Sequence, residues 1–357
     1  MNQRLVDQFC EMIRIDSESG NEAAMIAYLA DYLTRRLGAR CVVDAYGNLV
    51  AYWPGKNSNA PPILLACHAD TVKPGRGIDP WVDGGVVRSR GNTILGADDK
   101  AGIAEVIEAI RTAPVHPPIE FAVSRQEEVG LHGVKNLDYS LITAREGYLL
   151  DGDTLDTVVI GGPTYVAIDV KVTGKAAHAG MEPEKGINAI QAAARAIAAL
   201  RLGRLDHRTT ANVGVISGGI VRNGVPAETT FAAECRSLDD EKAIALGEEM
   251  TRLIRLEVEA AGAGVEVSSD VMCHAVGIPA ESPVVQICLE AIRSVGLAPR
   301  TTYITGFTDA SIYNNRGIQT AVLGIGAVNE HSTDEQIAVA EMEKAVRILH
   351  RIFELKA

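Results

Sequence analysis

The chain has 357 residues, of which 47% are hydrophobic and 22% are charged, with a formal net charge of −12. This length exceeds what one ordinary core covers, so we expect more than one domain, each of roughly 100–200 residues. The excess of acidic side chains disfavours nucleic-acid binding, and no apolar run approaches the roughly 20 residues of a membrane span. Six dispersed cysteines without a Cys-x-x-Cys pair, and an amphipathic start in place of a signal peptide, predict a soluble cytoplasmic protein.

The first part of the chain alternates helical and strand patterns. In chain order these are helices at 5–15 and 22–37, strands at 40–44, 48–53 and 63–67, a helix at 100–111, and strands at 119–124 and 147–151. The strands at 63–67, 119–124 and 147–151 are continuous apolar runs, which is typical of buried parallel strands. This alternation favours an α/β domain of three layers with a mostly parallel sheet.

The pattern changes after Gly161-Gly162-Pro163. The next elements are a strand at 165–172, a helix at 187–202, strands at 211–216 and 229–236, a helix at 240–261 and a strand at 265–270. This β-α-β-β-α-β order is that of the ferredoxin-like split motif. The α/β pattern then returns, with a helix at 282–295, a strand at 320–324 and a helix at 334–355. We therefore predict one α/β domain formed by residues 1–162 and 276–357, with a smaller α+β domain, residues 163–275, inserted into it.

Side chains of metal-binding type stand at predicted strand ends, helix starts or adjoining loops of the α/β domain. They are His68, Asp98, Glu128, Asp151 and His331. Imidazoles and carboxylates together suit zinc-like ions. Each residue alone has a plainer interpretation, such as a turn aspartate, a helix cap or a loop histidine. Their joint placement in one domain predicts the metal site of a hydrolase.

Asp70 follows His68 by two positions, so the two side chains share one face of a strand. We expect the Asp70 carboxylate to accept the second ring N–H of His68 and thereby to fix the nitrogen that faces the metal. The alternative is a strand-end histidine paired with a turn aspartate.

Two pairs of adjacent carboxylates add to this site. Of Asp98 and Asp99, one can bind metal while its neighbour caps or supports the helix that follows. Of Glu127 and Glu128, one can bind metal while the other moves protons, which is the division of work that metal-assisted hydrolysis needs.

The segment 91–104, Gly-Asn-Thr-Ile-Leu-Gly-Ala-Asp-Asp-Lys-Ala-Gly-Ile-Ala, resembles a family of co-catalytic dinuclear zinc metallopeptidases, as do segments 15–22 and 127–130. The family includes peptidase T, carboxypeptidase G, aminoacylase and succinyl-diaminopimelate desuccinylase. The resemblance spans nearly the whole chain and is strongest to the peptidase T-like branch. It implies a hydrolase, an aminopeptidase or other exopeptidase, that cleaves an amide bond of a small peptide. The alternatives are an N-acyl amino acid deacylase on the same scaffold and a metal-binding protein without catalysis.

The resemblance also implies roles for the residues above. Two divalent ions, zinc with cobalt or manganese as alternatives, would share Asp98. One ion would also take His68 and Asp151, and the other would take Glu128 and His331. Asp70 would orient the first histidine, and Glu127 would be the general base. A cis peptide bond is expected between Asp98 and Asp99.

The inserted domain, residues 163–275, resembles the family's lid and dimerisation domain, which implies a homodimer. His178 matches a lid histidine that stabilises the oxyanion in the partner's active site. Arg236 and Asn223 match positions that hold polar groups of the substrate. The plainer interpretations are a solvent-exposed histidine and a strand arginine in an ion pair. Gln126 stands where peptidase T-like members usually have an acidic residue, and the chain is shorter than theirs, so tripeptide specificity is not inferred.

Overall fold

The structure is a computed structural model and describes residues 2–357. The helices are α1 Gln3–Ile13, α2 Ala23–Leu37, α3 Ala97–Thr112, α4 His132–Lys135, α5 Ala189–Ala199, α6 Asp240–Ala260, α7 Pro283–Ser294, α8 Ala310–Asn315 and α9 Val339–Lys356. Among the residues that the structure describes, no helix is both long enough and apolar enough to span a bilayer.

The first eleven strands are β1 Arg40–Val43, β2 Leu49–Trp53, β3 Ile63–His68, β4 Asp79–Asp83, β5 Val86–Arg90, β6 Ile119–Ser124, β7 Glu146–Gly152, β8 Thr157–Val159, β9 Gly161–Gly162, β10 Thr164–Thr173 and β11 Ala177–His178. The remaining strands are β12 Gly203–Asp206, β13 Thr209–Gly218, β14 Gly224–Val225, β15 Glu228–Ser237, β16 Gly264–Cys273, β17 Val276–Gly277, β18 Arg300–Thr302, β19 Gln319–Gly324, β20 Ala327–Val328 and β21 Gln336–Ala338.

The chain divides into two compact units. The first contains the described residues up to Gly161, together with Gly277–Tyr303 and Thr308–Ala357. Its large sheet has the strand order β1-β2-β6-β3-β7-β19-β8-β18. The pairs β3–β6, β3–β7, β7–β19 and β8–β18 are parallel. The predicted α/β class with a mainly parallel sheet is therefore confirmed.

The centre of this sheet is buried on both faces. Leu65 and Cys67 of β3 join the core cluster formed with α1, α2, α3, α7 and α9, whereas Leu64 and Ala66 are buried outside that cluster. Alternate residues of a strand point to opposite faces, so the second pair lies on the other side of the sheet. A continuous apolar run such as Ile63–Cys67 is the pattern that double burial requires.

The end of the chain corrects one prediction. The terminal helix does not begin at 334, because Gln336–Ala338 form β21, which pairs antiparallel with β5. Helix α9 begins only at Val339. The sequence patterns also missed the antiparallel pair β4–β5 and the short helix α8. Short, half-exposed strands have too few alternating apolar residues to stand out from loops.

The second unit contains Gly162–Val276 and Ile304–Phe307. Its main sheet has the order β12-β13-β15-β10-β16, and every pair in it is antiparallel. Strands β10, β13, β15 and β16 alternate with α5 and α6 in the predicted β-α-β-β-α-β order, with β10 between β15 and β16. Helices α5 and α6 bury their apolar residues, among them Ala193 and Ile254, in a core separate from that of the first unit. The ferredoxin-like prediction is confirmed, with β12 as an added edge strand.

Candidate metal centre

Neighbouring parallel strands bring the predicted metal-binding side chains to one edge of the large sheet. Strands β6, β3, β7 and β19 lie side by side and run in the same direction, so their carboxyl ends meet. Sites in open α/β sheets form at this edge. The structure brings five residues together there, at the ends of β3 and β7, at the start of α3, and in the loops after β6 and β20. They are His68, Asp98, Glu128, Asp151 and His331.

Asp98 lies between the two histidines. Its Oδ1 is 3.0 Å from Nε2 of His68, and its Oδ2 is 3.1 Å from Nε2 of His331. Each oxygen of one carboxylate therefore faces a different imidazole, which is the arrangement that a bridging ligand needs. The peptide bond from Asp98 to Asp99 is cis, as the resemblance implies.

The other two carboxylates divide between the same histidines. Oε1 of Glu128 is 2.9 Å from Nε2 of His331, and Oδ1 of Asp151 is 3.5 Å from Nε2 of His68. The division is the one that the resemblance implies, with Asp151 beside His68 and Glu128 beside His331.

The donor set fits divalent metal ions. Potential ligand atoms of His68, Asp98 and Glu128 all lie within 4.8 Å of one another, and so do those of His68, Asp99 and Asp151. Imidazole nitrogen and carboxylate oxygen are ligands that zinc, cobalt and manganese accept.

The electrostatics of the cluster favour cations. Burial opposes a charge on His68, but hydrogen bonds with Asp151, Asp70 and Asp98 outweigh burial and raise the pKa of its imidazole well above the usual value. Hydrogen bonds with Asp98 and Glu128 raise the pKa of His331 to about 10. The carboxylates thus hold positive charge on both rings, which is the charge that metal ions would replace.

Asp70 faces the second ring nitrogen of His68, as predicted, and makes further contacts that were not predicted. Nδ1 of His68 lies 3.0 Å from the backbone oxygen of Asp70 and 3.5 Å from its carboxylate Oδ1. The backbone oxygen is therefore the nearer acceptor for the ring N–H. The carboxylate oxygens also accept hydrogen bonds from the backbone N–H groups of Glu127 and Glu128, at 2.9 and 3.3 Å, and from the hydroxyl of Ser19 at 2.7 Å.

Glu127 is buried beside these residues, with 6% of its surface exposed. Burial, followed by the charges of Asp151, Asp309 and Glu128, raises the pKa of its carboxyl well above the usual value. Asp309 is itself buried and accepts a hydrogen bond from the hydroxyl of Ser124. A carboxyl whose environment favours the protonated form is suited to carrying a proton during a reaction.

Sequence reasoning left open whether Asp99 caps the helix or supports the site, and it missed a second supporting residue. Oδ2 of Asp99 accepts the backbone N–H of His68 at 3.0 Å, so Asp99 supports the histidine of β3 and does not cap α3 through its side chain. Glu335 accepts backbone N–H groups of the segment that carries Asp98. The position of Glu335, four residues after the predicted ligand His331, could have indicated a supporting role. The sequence patterns instead placed Glu335 in the first turn of a helix that was predicted to begin at 334.

The substrate-contact candidates all belong to the second unit. His178 ends β11, which pairs with β14, and the backbone oxygen of Asn223 accepts the N–H of Ala179 at 3.0 Å. Arg236 of β15 forms a 2.8 Å ion pair with Glu234, and its guanidinium lies over the rings of Tyr165 and Phe307.

Comparison with known proteins agrees with this architecture. Residues 163–260 match a family described as the peptidase dimerisation domain of M20 type. The chain is 36% identical to the uncharacterized protein YqjE of Bacillus subtilis, over 99% of this chain and 98% of that protein. The structure of aminopeptidase PepT from Bacillus cereus superposes with a TM-score of 0.85 at 37% identity, covering 99% of this chain and 98% of that one. A tripeptidase from Staphylococcus aureus gives 0.91 at 34% identity, with the same coverage.

Proposed function

This chain belongs to the M20 peptidase family, in its peptidase T-like branch, and is a metal-dependent peptidase; we propose that it is a dinuclear aminopeptidase acting on small peptides. The observation that carries the proposal is the position of Asp98, whose two oxygens each lie about 3 Å from a different histidine. The names of the similar PepT and tripeptidase structures support the substrate class.

We assign the two ions to the two halves of the cluster. His68 and Asp151 would hold one ion, Glu128 and His331 would hold the other, and Asp98 would contribute to both. Zinc is our first choice, with cobalt and manganese as alternatives that this ligand set also accepts. When bound, such ions lower the pKa of a water molecule and polarise the scissile carbonyl.

We assign the proton transfer to Glu127. Its carboxylate would take a proton from the attacking water as the oxygen adds to the carbonyl carbon. As the C–N bond breaks, the same carboxyl would return that proton to the leaving amine. Glu127 is buried, and a buried base with a raised pKa is well matched to a proton that must be both taken and returned.

His178 would donate a hydrogen bond to the oxyanion. Its Nδ1 accepts the backbone N–H groups of Gly180 and Met181, each at 3.2 Å. In a neutral imidazole, a ring nitrogen that accepts carries no proton, so the proton lies on Nε2. Nε2–H is then available as a donor. Asn223, in the turn just before β14, and Arg236 of β15 remain our candidates for holding polar groups of the substrate.

We further propose a homodimer formed through residues 163–275. The dimerisation-domain match supports it. Strand β12 pairs only with the first residues of β13, Thr209–Ala211, so within the described residues the rest of β13 is bonded on one side. Val215 and Ile216 on that stretch are 63% and 51% exposed. An open strand edge with exposed apolar residues is suited to pairing with a second copy.

A substrate screen with metal-loaded protein tests the function. Dipeptides, tripeptides, their N-acetylated counterparts and N-acyl amino acids are incubated with protein that carries two equivalents of Zn²⁺, Co²⁺ or Mn²⁺. We expect release of the amino-terminal residue from free peptides and little cleavage of the acetylated ones, with Glu127→Gln as the matched inactive control. Preferred hydrolysis of N-acyl amino acids would instead indicate the deacylase, and no hydrolysis by any loaded form would contradict the proposal.

A further inference from the structure

Glu335 holds the segment that leads into α3. Its side chain is buried, with 2% of its surface exposed. Oε2 accepts the backbone N–H of Gly96 at 2.6 Å, and Oε1 accepts those of Ala97 and Asp98 at 2.8 and 3.1 Å. One carboxylate thus binds three consecutive N–H groups, the last of which belongs to the proposed bridging ligand.

These N–H groups need an external acceptor. The first N–H groups of a helix have no partner within it. In addition, Asp98 and Asp99 have non-helical backbone angles, so the start of α3 is not held by regular helical hydrogen bonds. A carboxylate also interacts favourably with the positive end of a helix dipole. Glu335 therefore supplies both the acceptor and the charge that this segment lacks.

The other end of Glu335 belongs to the loop that carries His331. The N–H of Glu335 donates to the backbone oxygen of Ser332 at 3.2 Å, and the N–H of Asp334 donates to the Ser332 hydroxyl at 3.2 Å. Immediately after Glu335, β21 begins and is anchored to β5. Hydrogen bonds to Ser332 therefore fix the loop before Glu335, and strand pairing with β5 fixes the chain after it.

We propose that Glu335 is a positioning residue that sets the spacing between Asp98 and His331 and so forms the half of the centre that holds the second metal ion. This inference rests on the proposed function. A single carboxylate joins the backbone of one ligand to the loop of the other, whose side chains lie 3.1 Å apart. The buried ammonium of Lys100 donates to the backbone oxygen of Ile15 and is stabilised electrostatically by Glu335.

The test compares three variants with the wild type. Glu335→Gln keeps the shape but replaces one acceptor oxygen with an N–H₂ group, which faces backbone donors. Glu335→Asp keeps the charge on a shorter side chain. Asp334→Asn is the control. Asp334 is exposed and directly precedes Glu335, and this variant removes the same negative charge as Glu335→Gln. For each protein we measure the metal-free circular dichroism spectrum, the binding of Mn²⁺ by titration calorimetry, and kcat and KM.

We expect Glu335→Gln to keep the metal-free fold and the first Mn²⁺ equivalent but to bind the second about 10–100-fold more weakly, the range seen for residues that orient metal ligands. Its kcat should fall while KM changes little. Glu335→Asp should recover part of the affinity, and Asp334→Asn should match the wild type.

Several results would overturn the proposal. These are two Mn²⁺ equivalents bound by Glu335→Gln with wild-type affinity, a loss in Asp334→Asn as large as in Glu335→Gln, or weaker metal binding that occurs only because both Glu335 variants have lost the metal-free fold. If Glu335→Gln does not fold, the same criteria apply to Glu335→Asp. The wild-type titration distinguishes a failure of this inference from a failure of the proposed function. If the wild-type chain binds two ions and cleaves peptides, the proposed function holds whatever the variants do.

Discussion

The backbone N–H of Glu127 donates a 2.9 Å hydrogen bond to Oδ1 of Asp70, a residue 57 positions earlier in the chain. The same carboxylate accepts the N–H of Glu128. Asp70, which was expected to act on His68 through its side chain, therefore also holds the loop of the proposed base. Its backbone oxygen lies nearer to the imidazole than its carboxylate does.

This relationship predicts the effect of Asp70→Asn. An amide has one acceptor oxygen where a carboxylate has two, so at least one of the N–H groups of Glu127 and Glu128 would lose its partner in a buried place. We expect kcat to fall about 10–100-fold, as for other residues that orient a metal site. Steady-state kinetics would measure it against Asp83→Asn, an exposed aspartate of β4. An unchanged kcat would show that the loop holds its position without Asp70.

Glu127→Gln separates metal binding from proton transfer. Because Glu127 is proposed as the base and not as a ligand, the variant should keep two metal ions per chain while its turnover falls about 10²–10⁴-fold. The metal content, by elemental analysis, and the turnover rate are measured on the same sample. Glu128→Gln is the matched comparison, and it should lose metal. Near-wild-type turnover of Glu127→Gln with full metal content would eliminate Glu127 as the base.

Subunit mixing tests whether His178 acts in the partner's site. A His178→Ala chain and a Glu127→Gln chain should each be nearly inactive alone. In a heterodimer one site would combine wild-type Glu127 with wild-type His178 and regain activity, while the other would carry both defects. Activity is measured after subunit exchange has been verified by mass. No recovery despite exchange, or a fully active monomer, would rule out the shared site.

Protonation of His331 predicts a pH-dependent stability in the metal-free protein. Hydrogen bonds with Asp98 and Glu128 raise its pKa from the usual 6.5 to about 10. A raised pKa means that the folded state binds the proton more tightly, so this stabilisation is fully present below about pH 6.5 and is lost as the pH rises through about 10. The difference in melting temperature between the wild type and His331→Gln should therefore shrink over that interval. A difference in melting temperature that stays constant from pH 6.5 to pH 10 would count against the ion pairs of His331 with Asp98 and Glu128.

Much of the fold and of the ligand set follows from local sequence patterns. The run Ile63–His68 becomes a strand buried at every position because a continuous apolar segment is stable only where both faces of a sheet are covered. Helix α2 ends where Gly38 adopts a left-handed conformation, φ 67°, which glycine permits without strain. The types of the metal-binding side chains are likewise a property of the sequence, since imidazole and carboxylate keep their chemistry in any fold. Local patterns do not, however, state which side chain faces which.

Those pairings were decided by the tertiary structure. The contact of Glu335 with Asp98 joins residues 237 positions apart, and that of His331 with Asp98 joins residues 233 apart. Such contacts depend on strand order and register, which bring β3, β7 and β19 side by side. Helical or strand periodicity reports burial within a few residues and carries no information on these distances. The sequence therefore determined the elements and the candidate ligands, whereas the packing of the sheet decided that Asp70 holds Glu127 and that Glu335 holds Asp98.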